Sequence, residues 1–261
     1  MSNIHNLVDN LHLEDLRNAN HPSIFDENEL YDMLIIRLPI IEKTIKVNSI
    51  GFIITHDNSY FYNREKDTFE ELGNRFEAPY EILDDIVDAL LKSFEGYDDL
   101  IVDMEETLYI NKTKSSFMKQ WLTLKHNIVK IERILMHASS TMDKAIGYYE
   151  KTEKFPINHY TDLHEHIERT LRSATLQLSK LDYIYNFYSA LTNERTNHSI
   201  YILTIISAVF LPLNLIVGFF GINTSGLPFS DGSSGTTNVI VLMFFVLIVS
   251  IVLINFVRNR A

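Results

Sequence analysis

The sequence contains no cysteine and little glycine or proline, with 9 Gly and 6 Pro among 261 residues. The absence of cysteine excludes disulfide bridges and thiolate metal sites. A phosphate-binding glycine-rich loop, a catalytic dyad and a nucleophile motif are also absent, so we expect neither enzymatic activity nor a resident cofactor. The N-terminus lacks a basic segment followed by an apolar one, which predicts that there is no signal peptide.

Positive charge is also scarce, since 34 acidic residues face 23 Lys and Arg, and the formal net charge is −11. The first 198 residues hold 33 of these acids and 21 of the bases, a net charge of −12. Such a surface repels nucleic acid and concentrates cations, so we expect no nucleic-acid partner. Acidity of this kind also fits plain solubility, and this alternative stays open.

Charged residues and histidine are missing from two long stretches, residues 200–220 and residues 239–257. Each stretch has the roughly 20 residues that a helix needs to cross about 30 Å of hydrocarbon. We therefore predict transmembrane helices over 199–220 and 238–257 in a lipid bilayer. Two helices buried in a soluble core are the alternative.

The distribution of Lys and Arg around the two spans predicts their orientation. The connecting segment 221–237 carries neither residue, whereas Arg195 precedes the first span and Arg258 and Arg260 follow the second. By the positive-inside rule, both termini are cytoplasmic, and the short tail 258–261 ends inside the cell. We expect a multi-pass protein of the inner (plasma) membrane, with its extracytoplasmic loop at 221–237.

The first 155 residues predict an α+β cytoplasmic domain. β-type runs at Tyr31–Ile41, Ile45–Thr55 and Ser59–Tyr62 indicate a small β-sheet. From Pro79 and again from Phe117, apolar residues recur at spacings of three and four, which is typical of long amphipathic helices.

A third helix is predicted from Pro156, with Asn158 as its N-cap. Neither Gly nor Pro occurs again before Pro212, so this cytoplasmic stalk helix, 156–198, should continue into the first span. An apolar stripe on so long a helix requires neighbours. The economical arrangement is a coiled-coil-like bundle of identical helices around an axis.

One side of the first span collects most of its polar and small residues, including Thr204 and Gly218. We predict that this side lines a pore, because polar side chains in a membrane usually face protein or water. Helix packing through small residues is the alternative. The predicted pore-lining residues are Asn197, Ile200, Leu203, Ser207, Leu211 and Asn214.

The span ends in Gly221-Ile222-Asn223, and the following loop contains one acid, Asp231. Irregular backbone at a membrane edge is tolerated where it lines a water-filled path. A ring of Asn223 amide oxygens could hold a cation with its hydration shell, which suits Mg²⁺ because this ion gives up water reluctantly. A neutral ring also lets the ion leave again.

Residues 197–223, NHSIYILTIISAVFLPLNLIVGFFGIN, resemble the first transmembrane helix and signature motif of CorA-type divalent metal cation transporters. Residues 160–167, YTDLHEHI, resemble the start of that family's stalk helix. The resemblance implies a homopentameric funnel in which five first spans line the pore. It also implies an outer selectivity ring of Asn223 with Gly221, and apolar constrictions at Leu203 and Leu211.

The signature differs from the family's usual Gly-Met-Asn, because Ile222 replaces the methionine. This variant is similar to the zinc-transporting ZntB-like branch, so the expected substrate is a divalent cation among Mg²⁺, Co²⁺, Ni²⁺ and Zn²⁺. Family members with regulatory sites bind intracellular metal between subunits. Asp162 matches a stalk carboxylate used for that purpose, and we name Asp84 and Asp88 as its candidate partners.

Three histidines suggest further hypotheses. His198, at the start of the first span, could titrate near neutral pH and couple transport to protons, although an interfacial role alone is the alternative. His159, Asp162 and His166 fall near one face of the stalk, where they could ligate metal or form a solvated surface. For the whole chain, the alternative function is a non-transporting, oligomeric two-span tether or sensor.

Overall fold

A computed structural model describes residues 4–42, 44–110, 113, 115–222 and 234–258. The chain divides into two compact units, Met1–Asn186 and Phe187–Ala261. The first unit begins with two short helices, α1 (Ile4–Leu7) and α2 (Asn10–Arg17). Asp9 caps α2, because its side-chain carboxylate accepts a hydrogen bond from the backbone N–H of Leu11.

A five-stranded antiparallel sheet follows, in the order β1-β2-β3-β4-β5. The strands are β1 (Ile24–Glu27), β2 (Asp32–Ile41), β3 (Ile45–Ile54), β4 (Ser59–Asn63) and β5 (Thr68–Glu71). The three runs predicted as strands correspond to β2, β3 and β4. The edge strands β1 and β5 have four residues each and were not predicted.

The two central strands are buried along most of their length, and α2 covers part of the sheet. Leu16 of α2 is fully buried and belongs to one apolar cluster with Met33, Ile53 and Tyr62. Gly51 permits this close approach, because a Cβ atom there would lie 2.4 Å from Leu16 Cδ2. The close packing of α2 on the sheet therefore depends on the glycine at position 51 of β3.

Two long amphipathic helices, α3 (Glu77–Tyr109) and α4 (Phe117–Tyr149), pack against the sheet and each bury one stripe. Pro79 lies in the first turn of α3, where its missing N–H does no harm. The spacing of three and four predicts Ile86 in the buried stripe of α3, but Val87 is fully buried in its place and Ile86 is half-buried.

The third long helix, α5 (Ile157–Phe220), begins in the first unit and ends in the second, where α6 (Gly235–Arg258) follows. The carbonyl of Pro156 accepts hydrogen bonds from the backbone N–H groups of His159 and Tyr160. Asn158 therefore lies inside the first turn of α5, and its prediction as the N-cap was wrong. The buried face of α5 in the first unit comprises Tyr160, Leu163, Ile167, Thr170, Ala174, Gln177, Leu181 and Ile184.

Polar contacts fix α4 and α5 to each other within the first unit. The indole Nε1 of Trp121 donates to the carbonyl of Leu181 over 2.8 Å, and its ring lies 5.0 Å from that of Tyr185. Lys125 forms an ion pair with Asp182, with 2.5 Å between Nζ and Oδ1. The α+β fold of a small sheet and long helices, with a long helix followed by a second apolar one, confirms the predicted fold class.

Candidate functional site

The second unit contains the two apolar helical segments. Among the described residues, two helices are long and apolar enough to cross a membrane, Ile157–Phe220 through its C-terminal part and Gly235–Phe256. None of the residues in the most apolar 18-residue window of either helix is buried. A soluble core helix would bury most of that window, so the alternative of two buried core helices does not fit this structure.

Each apolar helix has one face that is less exposed than the rest. On α5 this face comprises Ile205, Val209, Pro212, Leu213, Ile216 and Phe220. On α6 it comprises Val239, Met243, Val246, Leu247, Ser250 and Ile254. Both sets recur at spacings of three and four, and Phe220 lines a common cavity with Val239 and Leu242. This pattern indicates that the two faces cover each other.

The predicted pore-lining residues lie on the opposite side of α5. At about 100° per residue, the stripe from Ile200 to Asn214 is centred about 180° from the face that α6 covers. Leu203 is 64% exposed and Leu211 is 71% exposed, and Ser207 and Asn214 are exposed as well. The stripe is therefore left without cover by the described part of the second unit.

The polar side chains of this stripe are satisfied to different degrees. Thr204 Oγ1 donates to the carbonyl of Ile200 over 2.8 Å, so this hydroxyl is satisfied within the helix. Asn197, Ser207 and Asn214 make no side-chain hydrogen bond to another described residue. In hydrocarbon such groups are costly, and this cost favours water or a second protein surface beside the stripe.

Pro212 and Gly221 shape the end of the span. Pro212 has no N–H, so the carbonyl of Ala208 loses its usual partner four residues later. The N–H of Gly221 donates to the carbonyl of Val217 over 2.8 Å, just after α5 ends at Phe220. A Cβ atom on residue 221 would lie 2.8 Å from that same oxygen, so this helix end requires glycine.

The structure describes only some of the residues predicted at or near the ends of the pore. Gly221 and Ile222 are exposed. Asn223 and Asp231 lie outside the described residues, so the ring of asparagines and the outer-loop acid stay predictions. His198 is exposed and lies seven residues before Ile205, which places it on the side of α5 away from the stripe. A proton-linked role for His198 would thus act outside the stripe.

Histidines and carboxylates meet where α3 packs beside α5 in the first unit. His166 lies between two carboxylates: its Nδ1 is 3.9 Å from Asp88 Oδ1 and its Nε2 is 3.8 Å from Asp162 Oδ1. His159 Nδ1 is 3.5 Å from Glu77 Oε2, and its ring stacks on Tyr80. Glu77 was not singled out from the sequence, because 82 residues separate it from His159 and no local pattern links them.

This cluster is negatively charged but is not arranged as a metal site. Burial raises the pKa of Tyr80, and the nearby charges of Asp84, Asp162 and Asp88 raise it further. The structure thus brings Asp84 and Asp88, the two candidate partners, into the neighbourhood of Asp162. Within the described residues, no group of three or more His, Asp or Glu is placed to hold one metal ion.

The family model described as "CorA-like Mg2+ transporter protein" matches residues 3–258. The chain belongs to this family. The resemblance carried by residues 197–223 is thereby confirmed. The matched relatives are described as transporters, which agrees with the expectation that the chain is not an enzyme.

Curated relatives of this CorA-like chain are distant in sequence. The divalent cation transporter CmaX of Pseudomonas aeruginosa is 26% identical over 59% of this chain and 46% of its own length. The cobalt/magnesium transport protein CorA of Thermotoga maritima is 21% identical over 95% of this chain and 75% of its own. The zinc transport protein ZntB of Yersinia enterocolitica is 22% identical over 59% and 47%. The sequence matches to CmaX and ZntB thus span about half the length of those two relatives.

Two solved structures share the fold over nearly the whole chain. The CorA magnesium transporter of Methanocaldococcus jannaschii matches with a TM-score of 0.73 and 17% identity, covering 95% of this chain and 83% of that one. Full-length CmaX matches with a TM-score of 0.73 and 17% identity, covering 96% and 82%. These similarities establish the architecture of the CorA-like fold for this chain.

Proposed function

We propose that this chain is one subunit of an oligomeric membrane channel or transporter that moves divalent metal cations. The observation that carries the proposal is the uncovered stripe of α5, which combines Ser207 and Asn214 with apolar residues on the side away from α6. Several copies around an axis would bring these stripes together and enclose a pore. The family resemblance sets the number at five, so the proposed assembly is a homopentamer.

In this assembly each part of the chain has a defined place. Residues 1–155 and the stalk 156–198 lie in the cytoplasm, and residues 199–220 line the pore. The loop 221–237 is extracytoplasmic, residues 238–257 pack outside the pore in the inner membrane, and the tail 258–261 is cytoplasmic. The absence of Lys and Arg between Gly221 and Asn238 supports this orientation.

The proposed mechanism keeps the ion hydrated. Asn223, with Gly221 beside it, presents amide and carbonyl oxygens at the outer mouth, and Asn197 and Asn214 present amides along the conduit. Leu203 and Leu211 form apolar constrictions. A divalent ion that falls through 100 mV gains about 4.6 kcal/mol, so the gradient and the membrane potential suffice to drive uptake.

The choice of ion stays open among Mg²⁺, Co²⁺, Ni²⁺ and Zn²⁺. The Gly-Ile-Asn motif favours a ZntB-like preference, whereas the relative matched over most of the chain is described as a cobalt/magnesium transport protein. Asp162, with His166 and Asp88 beside it, is the proposed regulatory metal position. Because these three are not arranged as a metal site within one subunit, a second subunit would have to complete it.

The test is flux into proteoliposomes at clamped potential for each of the four ions, with Asn223→Ala beside the wild type. We expect flux in the wild type and at least a tenfold loss in Asn223→Ala. Asn255→Ala is the matched control, because it removes the same amide from the exposed surface of α6. The ranking of ions distinguishes a ZntB-like from a CorA-like preference.

A folded, correctly oriented oligomer that passes none of the four ions would contradict the transport proposal. It would favour a two-span tether or sensor, for which Asn223→Ala should be silent. Equal loss in Asn223→Ala and Asn255→Ala would instead remove the special role of the loop asparagine.

A further inference from the structure

A cavity of about 430 Å³ lies in the first unit, between the segment that joins α2 to β1, the strands β2 and β3, and helix α4. Its polar lining residues are Asn20, Ser23, Arg37, Lys130, Arg133 and His137. The other three, Pro22, Val47 and Ile134, are apolar and not aromatic. This volume is in the range of small-molecule pockets.

The charge of this cavity is opposite to that of the protein. The chain has a net charge of −11, yet three lining residues are Lys or Arg, a fourth is histidine and none is acidic. In the described part of the chain, no carboxylate lies within 4.0 Å of the charged nitrogens of Arg37, Lys130 or Arg133. Most other cations for which contacts are described, such as Lys125 and Arg172, have an acidic partner.

Arg37 is held in place but not satisfied. Its Nη1 donates to the carbonyl of Asn20 over 3.2 Å, while its Nε is buried and has no hydrogen-bond partner among the described residues. A buried donor without a partner costs about 1–3 kcal/mol, so this atom favours an acceptor that arrives from outside the chain.

Two further donors are fixed beside Arg37. Ser23 Oγ accepts the backbone N–H of Arg37 over 2.9 Å, which leaves its own hydroxyl proton available to a ligand. Lys130 Nζ donates to the carbonyl of Ile45 over 2.8 Å, and an ammonium has two more N–H groups to give. The main-chain partners therefore position donors without neutralising their charge.

A fourth cation, in the turn that follows β4, increases the positive potential near Arg37. Arg64 is anchored to the carbonyls of Leu16 and Ser49 and lies close enough to Arg37 for the two charges to repel. Burial lowers the pKa of Arg64, and the charge of Arg37 acts in the same direction. An anion in the cavity would relieve this repulsion.

We propose that this cavity is a binding site for a phosphate-bearing anion. Guanidinium groups match phosphate oxygens with paired hydrogen bonds, and lysine adds a point charge. The lining contains no Phe, Tyr or Trp ring on which a nucleobase could stack, so the phosphate groups themselves carry the recognition. The volume accommodates more than one phosphate, and pyrophosphate is the suitable probe.

Binding is measured by titrating pyrophosphate into the full-length protein in nanodiscs of zwitterionic lipid, with calorimetric detection. We expect saturable binding that weakens at least tenfold in Arg133→Gln, and we expect this variant to fold because the side chain of Arg133 is exposed. Arg37→Gln should lose as much or more. The matched control is Arg172→Gln on α5, which removes the same charge from a guanidinium paired with Glu168, and it should bind as the wild type does.

A second arm separates a soluble ligand from a lipid headgroup. If phosphatidic acid added to the nanodiscs lowers the apparent affinity for pyrophosphate, and Arg133→Gln reduces that competition, the headgroup is the natural source. If the affinity does not change, the source is a soluble phosphate compound. Absence of saturable binding at millimolar pyrophosphate, or an equal loss in Arg172→Gln, would overturn the proposal. Because the readout is binding, its failure is distinct from a failure of ion transport.

Discussion

Helix α5 carries apolar residues at spacings of three and four in both units, but the two stripes differ in their surroundings. In the first unit Leu163 and Leu181 are fully buried and Ile167 is 1% exposed. In the second unit Leu203 is 64% exposed and Leu211 is 71% exposed. The same periodicity thus produces a closed core in one region and an open surface in the other.

The difference shows what each stripe needs from outside the chain. The first stripe is buried within its own unit, where α4 is bonded to it through Trp121, and needs nothing more. The second stripe contains Ser207 and Asn214, whereas the most exposed side chains in the middle of α6 are all apolar. The apolar surface of α6 favours contact with lipid. The partly polar stripe on α5 favours contact with other copies of the chain and with water, which is the arrangement that the transport proposal requires.

Truncating a leucine in each stripe gives the sharpest contrast. Leu163→Ala should lower the free energy of unfolding of the first unit by about 2–5 kcal/mol, because it leaves a cavity in a closed core. Leu203→Ala should lower the free energy of unfolding by less than about 0.5 kcal/mol, because the side chain of Leu203 is exposed and does not pack in a core. Trp121, the only tryptophan, reports the transition by fluorescence in detergent with increasing urea, since it is bonded to α5. Equal losses in the two variants would contradict the comparison.

The first unit also buries a polar contact, which gives the next largest effect. Tyr149 donates its hydroxyl proton to Asp32 Oδ2 over 2.5 Å, and Asp32 is 4% exposed. Tyr149→Phe should cost about 1.5–3 kcal/mol, because a buried carboxylate loses a donor. Urea unfolding followed by Trp121 fluorescence measures the loss. Tyr148→Phe, beside it but more exposed, is the control and should cost less.

The same tyrosine predicts how stability depends on alkaline pH. Burial, followed by the hydrogen bond to Asp32, raises the pKa of Tyr149 above its usual value of 10.0. The folded state then binds this proton more tightly than the unfolded state does. Its contribution is complete below pH 10 and is lost as the pH rises further. The alkaline loss of stability should shrink in Tyr149→Phe, and an unchanged pH profile would contradict this assignment.

Sequence periodicity predicted most of the long elements because their pattern is local. The stripes of α3, α4 and α5 repeat every three or four residues, so a single helix defines them. Periodicity could not decide between Ile86 and Val87, because they lie three and four residues after Leu83 and both spacings fit one helical turn. The edge strands β1 and β5 were missed because IFDE and TFEE are short and acidic, and only pairing with a neighbouring strand makes them strands.

The candidate sites also differ in how far the sequence alone could predict them. The stripe on α5 could be predicted because all of its residues belong to one helix. The approach of His166 to Asp88 joins two helices, and the basic cavity joins Ser23, Arg37 and Arg133 from three separate segments. No local sequence pattern predicts such contacts between distant residues. They form only when the sheet and helices pack together, so isolated basic residues in an acidic sequence do not indicate a shared site.

The last contrast lies within the second unit, between the two faces of α5. Asn214→Leu replaces an exposed amide of the stripe with an apolar group, which removes a hydrogen-bonding group beside the proposed ion path and favours dewetting there. We expect ion flux into proteoliposomes to fall about tenfold. Ile216→Leu is the matched control, because it changes only the branching of a side chain on the face that α6 covers, and its flux should stay within about twofold of the wild type. If both variants lose flux equally, the helix would be sensitive to packing on all sides and the pore would not be assigned to this stripe. A loss confined to Asn214→Leu would place the ion path on the face that the chain itself leaves uncovered.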